Sequence, residues 1–312
     1  MSVWFGYHMP SFTFPELPPE RLFDHVSVLA GAAEEAGFSL VTVMDHFHQI
    51  PGIGRPNEPM LEAYATLSAL SQRTSRVRLS ALVTGVTYRN PALLAKIVTT
   101  LDVVSGGRAL LGIGAAWNEQ EHRAYGFDFP PVRERMDRLE EALTIIRAMF
   151  REETATFHGR YYRVEGALNE PRPLQPGGPR VIVGGGGEQR TLRIAAKHAD
   201  MTHWFPVGLD ALQRKKDILR RYCDEIGRDP ATIELTMATP AIVAQDEQAA
   251  RELLDRMPPE RRAHTTAGPP ALAAEALRPY IDAGFTGFTF NDTALPTRDA
   301  IARAGELLTL VT

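Results

Sequence analysis

The chain has a single cysteine, Cys223, in 312 residues. That excludes a disulfide framework and a zinc site built on several cysteines, and it suits a reducing cytoplasm, the expected location. No stretch approaches twenty consecutive apolar residues, so no segment is expected to span a membrane. The N-terminus runs straight into Val3-Trp4-Phe5-Gly6-Tyr7-His8. It has no basic region followed by an apolar run, and a signal peptide is not expected. Positive charge is not in excess: the formal net charge is −4, which leaves no basic footprint for nucleic acid. Lysine is scarce, four against thirty arginines, and this reads as codon bias of a GC-rich genome more than as physics. A Gly-x-Ser-x-Gly elbow is missing, and Cys223 falls in a predicted helix, so nucleophilic hydrolysis has no visible candidate.

What is present is a globular composition, 44% hydrophobic and 23% charged, in a chain long enough to bury a sizeable core. Apolar runs of strand length alternate with helical patterns. Strands are predicted at Val3–Met9, Leu40–Met44, Val77–Thr84, Ala109–Ile113, Val181–Val183, Met201–Phe205, Ile233–Val243 and Gly287–Phe290. Pro240 must bend or end the seventh. Helices are predicted at Pro19–Ala36, Leu61–Gln72, from Pro91 to near Ser105, Arg133–Phe150, Gln189–His198, Leu209–Ile226, Asp246–Met257, Pro270–Ala283 and Thr297–Leu310. A small hairpin is predicted at Ala155–Val164. Parallel βα units need helical crossovers, and eight of them in this length predict a single (β/α)8 TIM barrel over residues 1–312, with short insertions at the C-terminal face of the strands. The alternative is a doubly wound open sheet. In the barrel, chemistry belongs at the strand C-termini.

Strand two ends in Asp45-His46-Phe47-His48. His46 suits a general acid or base, since an imidazole titrates near neutrality. Equally, Asp45 is read as a helix cap and His46 as a structural histidine. His46-x-His48 has a metal-ligand look, but later strands add only His203, Asp200 and Asp292, and no metal is expected. Gly184-Gly185-Gly186-Gly187 follows strand five and precedes a helix. Consecutive glycines there read as a cradle for a phosphate or carboxylate, or as a tight turn. Neither this run nor Gly112-Ile113-Gly114 completes a dinucleotide fingerprint. Trp117 and Asn118 follow the second glycine segment and are expected beside a pocket.

These segments together resemble the luciferase-like monooxygenase superfamily, and within it the branch of coenzyme F420-dependent oxidoreductases. The residues that carry the resemblance are Val43 to Phe47, Val83 to Lys96, Thr100 to Arg108, Leu111 to Trp117, Glu121 to Gly126, the Gly184–Gly187 run and Gly227 to Pro230. The resemblance implies a barrel enzyme, usually a homodimer, that transfers a hydride between the cofactor and a small organic substrate. It implies a cofactor ring near Asp45, His46, Leu82, Val83, Thr84, Ala115 and Asn118, with a non-proline cis peptide at Leu82–Val83. It places the phosphate on Gly184, Gly185, Gly186 and Gly187, and makes His46 the catalytic candidate. Phe12, Phe14, Ile50 and Trp117, with the loops 51–59 and 257–270, are expected around the substrate. Sugar-phosphate-oxidising members carry an acidic residue where Trp117 stands and a tryptophan near Ile50, so an uncharged substrate is expected instead. FMN is the competing cofactor, with monooxygenase chemistry. A barrel metallohydrolase and a non-catalytic binding barrel are the remaining readings.

Overall fold

A computed structural model describes residues 2–14, 16–255, 257, 259–291 and 296–312. Asp292 lies outside the described residues. The elements in chain order are β1 (Trp4–Met9), α1 (Pro19–Glu35), β2 (Leu40–Val43), α2 (Ala63–Ser71), β3 (Arg78–Ala81), β4 (Thr84–Gly85), α3 (Pro91–Val104), β5 (Leu110–Gly114), α4 (Glu119–Tyr125), α5 (Val132–Arg151), β6 (Thr154–His158), β7 (Arg163–Leu168), β8 (Arg180–Gly184), α6 (Thr191–His198), β9 (Met201–Trp204) and α7 (Leu209–Glu225). They continue with β10 (Glu234–Ala238), β11 (Ala241–Val243), α8 (Glu247–Asp255), α9 (Pro259–Arg262), β12 (Thr266–Gly268), α10 (Pro270–Asp282), β13 (Phe285–Asn291) and α11 (Arg298–Val311).

The main sheet is parallel and runs β3-β2-β1-β13-β10-β9-β8-β5-β4. Its two ends, β3 and β4, are one strand path broken at Leu82–Val83, where the peptide is cis. The Leu79 N–H donates to Arg108 O at 2.9 Å and the Gly112 N–H to Ser80 Oγ at 3.1 Å, which closes the sheet against β5. The nine strands therefore occupy eight barrel positions. The expected barrel is found, and the open doubly wound sheet is not.

Strand alternation sends successive side chains to opposite faces. On the outside, Phe5, Tyr7, Val41, Val43, Leu111, Ile113, Val181 and Val183 pack under the helices. On the inside, Trp4, Leu40, Leu110, Ile182 and Met201 form a separate buried cluster that fills the lower barrel. The floor is closed by polar contacts. Trp4 Nε1 donates to Glu234 Oε1 at 2.5 Å, and Arg180 pairs with Glu234 at 2.9 Å. Further up the same inward faces come Gly6 and His8, Thr42, Gly114, Gly184, His203, Thr236 and Thr289, so the upper barrel is lined by small and polar groups.

Several expectations are refined. Pro240 does split strand seven: β11 leaves the barrel and pairs in parallel with β12. Helix α4 was not expected from the sequence. The insertion hairpin β6–β7 is antiparallel and reaches Leu168, four residues beyond the expected end. No helix among the described residues is long and apolar enough to cross a membrane.

Two motif residues of the resemblance serve architecture. The Arg108 guanidinium donates to Ser71 O, Thr74 O, Val77 O and Ser105 O, tying the α2–β3 loop to the end of α3. Asp102, fully buried on α3, accepts from the Leu174 N–H (2.7 Å), the Gln175 N–H (3.1 Å) and Gln175 Nε2 (2.7 Å), so it anchors the Pro-rich loop. Removing it leaves three donors without their acceptor inside the protein. Asp102→Ala is expected to cost about 3 kcal/mol in urea unfolding. A loss below about 0.5 kcal/mol, the scale of an ordinary surface change, would show that water replaces the carboxylate.

Candidate active site

A cavity of about 340 Å³ opens at the C-terminal ends of the barrel strands. One wall is main chain and small residues: Leu82, Val83, Thr84, Gly85, Gly114, Ala115, Ala116, Gly184 and Gly185. The reason lies in Val83. A Cβ on Gly184 would fall 2.9 Å from both Val83 methyls, and one on Gly114 would fall 3.0 Å from Cγ2. The path through Leu82–Val83 is therefore possible only beside residues without Cβ, and the same absence leaves a smooth wall. Such a surface accepts a flat ring closely.

His46 faces this cavity from the end of β2. Its Nδ1 lies 2.8 Å from Glu121 Oε2. Glu121, on α4 and fully buried, also accepts from Tyr88 Oη at 2.5 Å, from the His48 N–H at 3.0 Å and from the Phe47 N–H. Burial alone would raise this carboxyl. The hydrogen bonds from His46 and Tyr88 outweigh it and hold the group at about 2. An ionised carboxylate only accepts, so His46 Nδ1 must carry a proton, and Nε2 is left for whatever the cavity holds.

The Asp45 side chain caps no helix and is hydrogen-bonded to Arg89, not to His46. Arg89 grips both of its oxygens, at 2.7 and 2.9 Å, and also pairs with Glu62 at 2.7 Å. Burial pushes the Asp45 carboxyl up from its ordinary value, and Arg89 opposes that. Asp45 lines the cavity edge, but orientation of the imidazole belongs to Glu121. Sequence reading missed this pair because the partners are 75 residues apart. A local signal existed: Asn118 and Glu121 have the spacing of a capping box, which marks a helix start at a strand end.

The glycine run divides. Gly184 and Gly185 line the cavity, whereas Gly186 and Gly187 do not. Gly185 has φ +101° and its N–H donates to His203 O at 3.0 Å. Gly186 O accepts from Lys215 Nζ at 2.7 Å, which brings a cation from α7 to the turn. The lysine was not singled out in the sequence, because nothing local ties it to the glycines.

Among the expected substrate residues, Ile50 and Trp117 line the cavity. Trp117 is exposed at the mouth, its ring 5.6 Å from the His46 ring in an edge contact. Phe12 is buried in the core and does not line the cavity. Phe14 packs against His25. Asn118 does not reach the cavity either: it caps α4, its side chain accepting from the Glu121 N–H at 3.3 Å. Ile53 represents the 51–59 loop in the lining, but no described residue of 257–270 takes part. His48 turns away and meets Tyr125. Among the described residues, no three His, Cys, Asp or Glu side chains gather to hold a metal ion.

Fold and site together define a (β/α)8 barrel with a glycine-walled, ring-sized cavity and a carboxylate-held histidine at its mouth. The luciferase-like monooxygenase family matches residues 4–307, and the chain belongs to that family. An F420-dependent glucose-6-phosphate dehydrogenase of Intrasporangium calvum is 33% identical over 299 residues, covering 86% of this chain and 87% of that protein. A protein of the same name from Kineococcus radiotolerans is 32% identical over 307 residues, covering 88% of each. Among solved structures, an F420-dependent secondary alcohol dehydrogenase in complex with an F420-acetone adduct superposes with a TM-score of 0.82 at 23% identity, over 100% of both chains. EDTA monooxygenase from Chelativorans sp. BNC1 has the same TM-score, 0.82, at 16% identity, covering 99% of this chain and 94% of that one. The two structures share the fold with this chain.

Proposed function

We propose that this protein is a coenzyme F420-dependent oxidoreductase that moves a hydride between the cofactor and an uncharged organic substrate. The observation that carries the proposal is the fixed imidazole of His46 beside a cavity walled by main chain and glycine. Curated relatives at about one-third identity bear the name of F420-dependent dehydrogenases, which supports the cofactor. When bound, coenzyme F420 supplies or accepts a hydride as a two-electron carrier. Leu82, Val83, Thr84 and Ala115 would back its ring. Gly184 and Gly185, with Lys215 behind them, would take its phosphate end. His46 would give or take the accompanying proton at Nε2.

The substrate is read as uncharged because no lysine or arginine among the described residues lines the cavity. Asp45, the carboxylate in the lining, is already matched by Arg89. A sugar phosphate would bury its dianion without a cation, at a cost of several kcal/mol. The substrate proposed here thus differs from the glucose-6-phosphate in the relatives' name. We also take the protein to work in the cytoplasm as a homodimer. The single, buried cysteine supports the location, and the family resemblance supports the dimer.

Titration with coenzyme F420 and with FMN tests the proposal. Micromolar binding of the deazaflavin and weaker binding of FMN are expected, and FMN binding without F420 binding would overturn the cofactor. Gly185→Val is expected to weaken F420 binding at least about tenfold, since a branched side chain is strained at that positive φ and enters the cavity wall. Gly186→Val should leave affinity nearly unchanged. Its Cβ would meet the flexible Lys215 stem at 3.3 Å, outside the cavity lining. Equal losses at both positions would return phosphate binding to the whole glycine run.

A further inference from the structure

His203 has no part in the chemistry described so far, yet it occupies the cavity wall. It is on β9, opposite Gly184 in the sheet register, and its inward side chain reaches the cavity. Going round the sheet, β9 is four strands from β2, half the circumference of an eight-position barrel. His203 therefore faces His46 from the far side of the cavity.

The hydrogen bonds decide which of its nitrogens bears the proton. Thr236, its register partner on β10, donates its hydroxyl proton to Thr202 O at 2.6 Å. A hydroxyl has one proton to give, so towards His203 Nδ1, at 3.0 Å, Thr236 Oγ1 can only accept. Nδ1 is therefore the N–H. Burial pushes the imidazole down to about 4, which keeps the ring neutral at pH 7. Nε2 then carries a lone pair. The Thr289 hydroxyl is 3.4 Å from it, a long and therefore weak contact, which a ligand N–H or O–H at ordinary distance would displace.

We infer that His203 binds the cofactor as a hydrogen-bond acceptor, taking an N–H or O–H of the deazaflavin on Nε2, with the chain Thr202 O–Thr236–His203 Nδ1 holding the ring in that tautomer. A deazaflavin offers such donors in its ring imide and its hydroxylated side chain. The inference rests on the coenzyme F420 reading. It adds a residue that discriminates by donor placement: a group that can only accept, buried at that point, would leave two lone pairs facing each other.

Nitrogen-15 spectra of ring-labelled histidine test the tautomer in the unliganded protein, with His203→Gln used for assignment. At neutral pH the His203 signals should show a protonated Nδ1 and a bare Nε2. Adding coenzyme F420 should shift the Nε2 signal as a bare nitrogen does on accepting a hydrogen bond. His203→Leu should weaken F420 binding about tenfold, the loss of one buried hydrogen bond, and His203→Gln, which keeps an acceptor, should recover part of that affinity. A proton on Nε2 in the unliganded protein overturns the inference, whatever the variants do. So does F420 affinity within twofold of the unaltered protein in His203→Leu. Should the unaltered protein bind no F420, the cofactor reading fails and takes this assignment with it; that result is told apart because it appears before any variant is made.

Discussion

His46→Ala is expected to lower kcat by about 10²–10⁴, the usual range for loss of a general acid or base. Coenzyme F420 affinity should change little, because the glycine and main-chain wall is formed without His46. The thermal midpoint should fall only modestly, since the buried Glu121 loses one donor but keeps Tyr88 Oη and the Phe47 and His48 N–H groups. These three quantities separate the roles. A proton-transfer residue moves kcat far more than the other two. A residue that only contacts the cofactor moves the dissociation constant and keeps kcat at saturation. A structural residue moves the midpoint first. A kcat within twofold of the unaltered enzyme at saturating cofactor would remove His46 from the reaction.

The second large effect is expected at Glu121. Its two oxygens receive four donors: His46 Nδ1 and Tyr88 Oη on Oε2, and the Phe47 and His48 N–H groups on Oε1. A glutamine has one acceptor and one donor end. Whichever way its amide turns, one pair of donors meets an NH₂ group. The two backbone groups cannot give up their protons, so the oxygen goes to them and the NH₂ faces His46. The imidazole must then present a lone pair on Nδ1 and move its proton to Nε2, reversing the tautomer at the cavity. Glu121→Gln is expected to lower kcat about 10²-fold on that account, with coenzyme F420 affinity kept.

The same variant should change acid stability. Glu121 is held at about 2, below its ordinary 4.5. A carboxyl depressed on folding contributes fully above its unfolded value and loses that contribution as the pH falls from 4.5 through 2. The stability gap between the unaltered protein and Glu121→Gln should therefore be widest above pH 4.5 and narrow towards pH 2. Urea unfolding at pH 7 and pH 3 measures this. A gap that does not narrow, together with an unchanged kcat, would reduce Glu121 to a helix-end contact.

By itself, the amino-acid sequence determined the parallel barrel and the place of its mouth. Strand alternation and helical periodicity are local properties, written in runs such as Leu110–Gly114 and Pro91–Val104, and eight alternations leave few ways to bury both faces of a parallel sheet. It also brought forward Asp45, His46 and the glycines, because strand ends and glycine runs stand out within a few residues. Only the tertiary structure decided what each of these does. Closure of the barrel carries α4 to the end of β2 and so gives His46 to Glu121, while Asp45, its chain neighbour, turns to Arg89. Closure also sets Val83 against Gly114 and Gly184, so that two glycines which stand out in the sequence serve the packing of the β3–β4 path. It sends Phe12 into the core although its composition suited a pocket, and it aims His203 at the cavity from half a barrel away. Side-chain partnership across the barrel is set by distances in space, and a one-dimensional pattern records only distances along the chain.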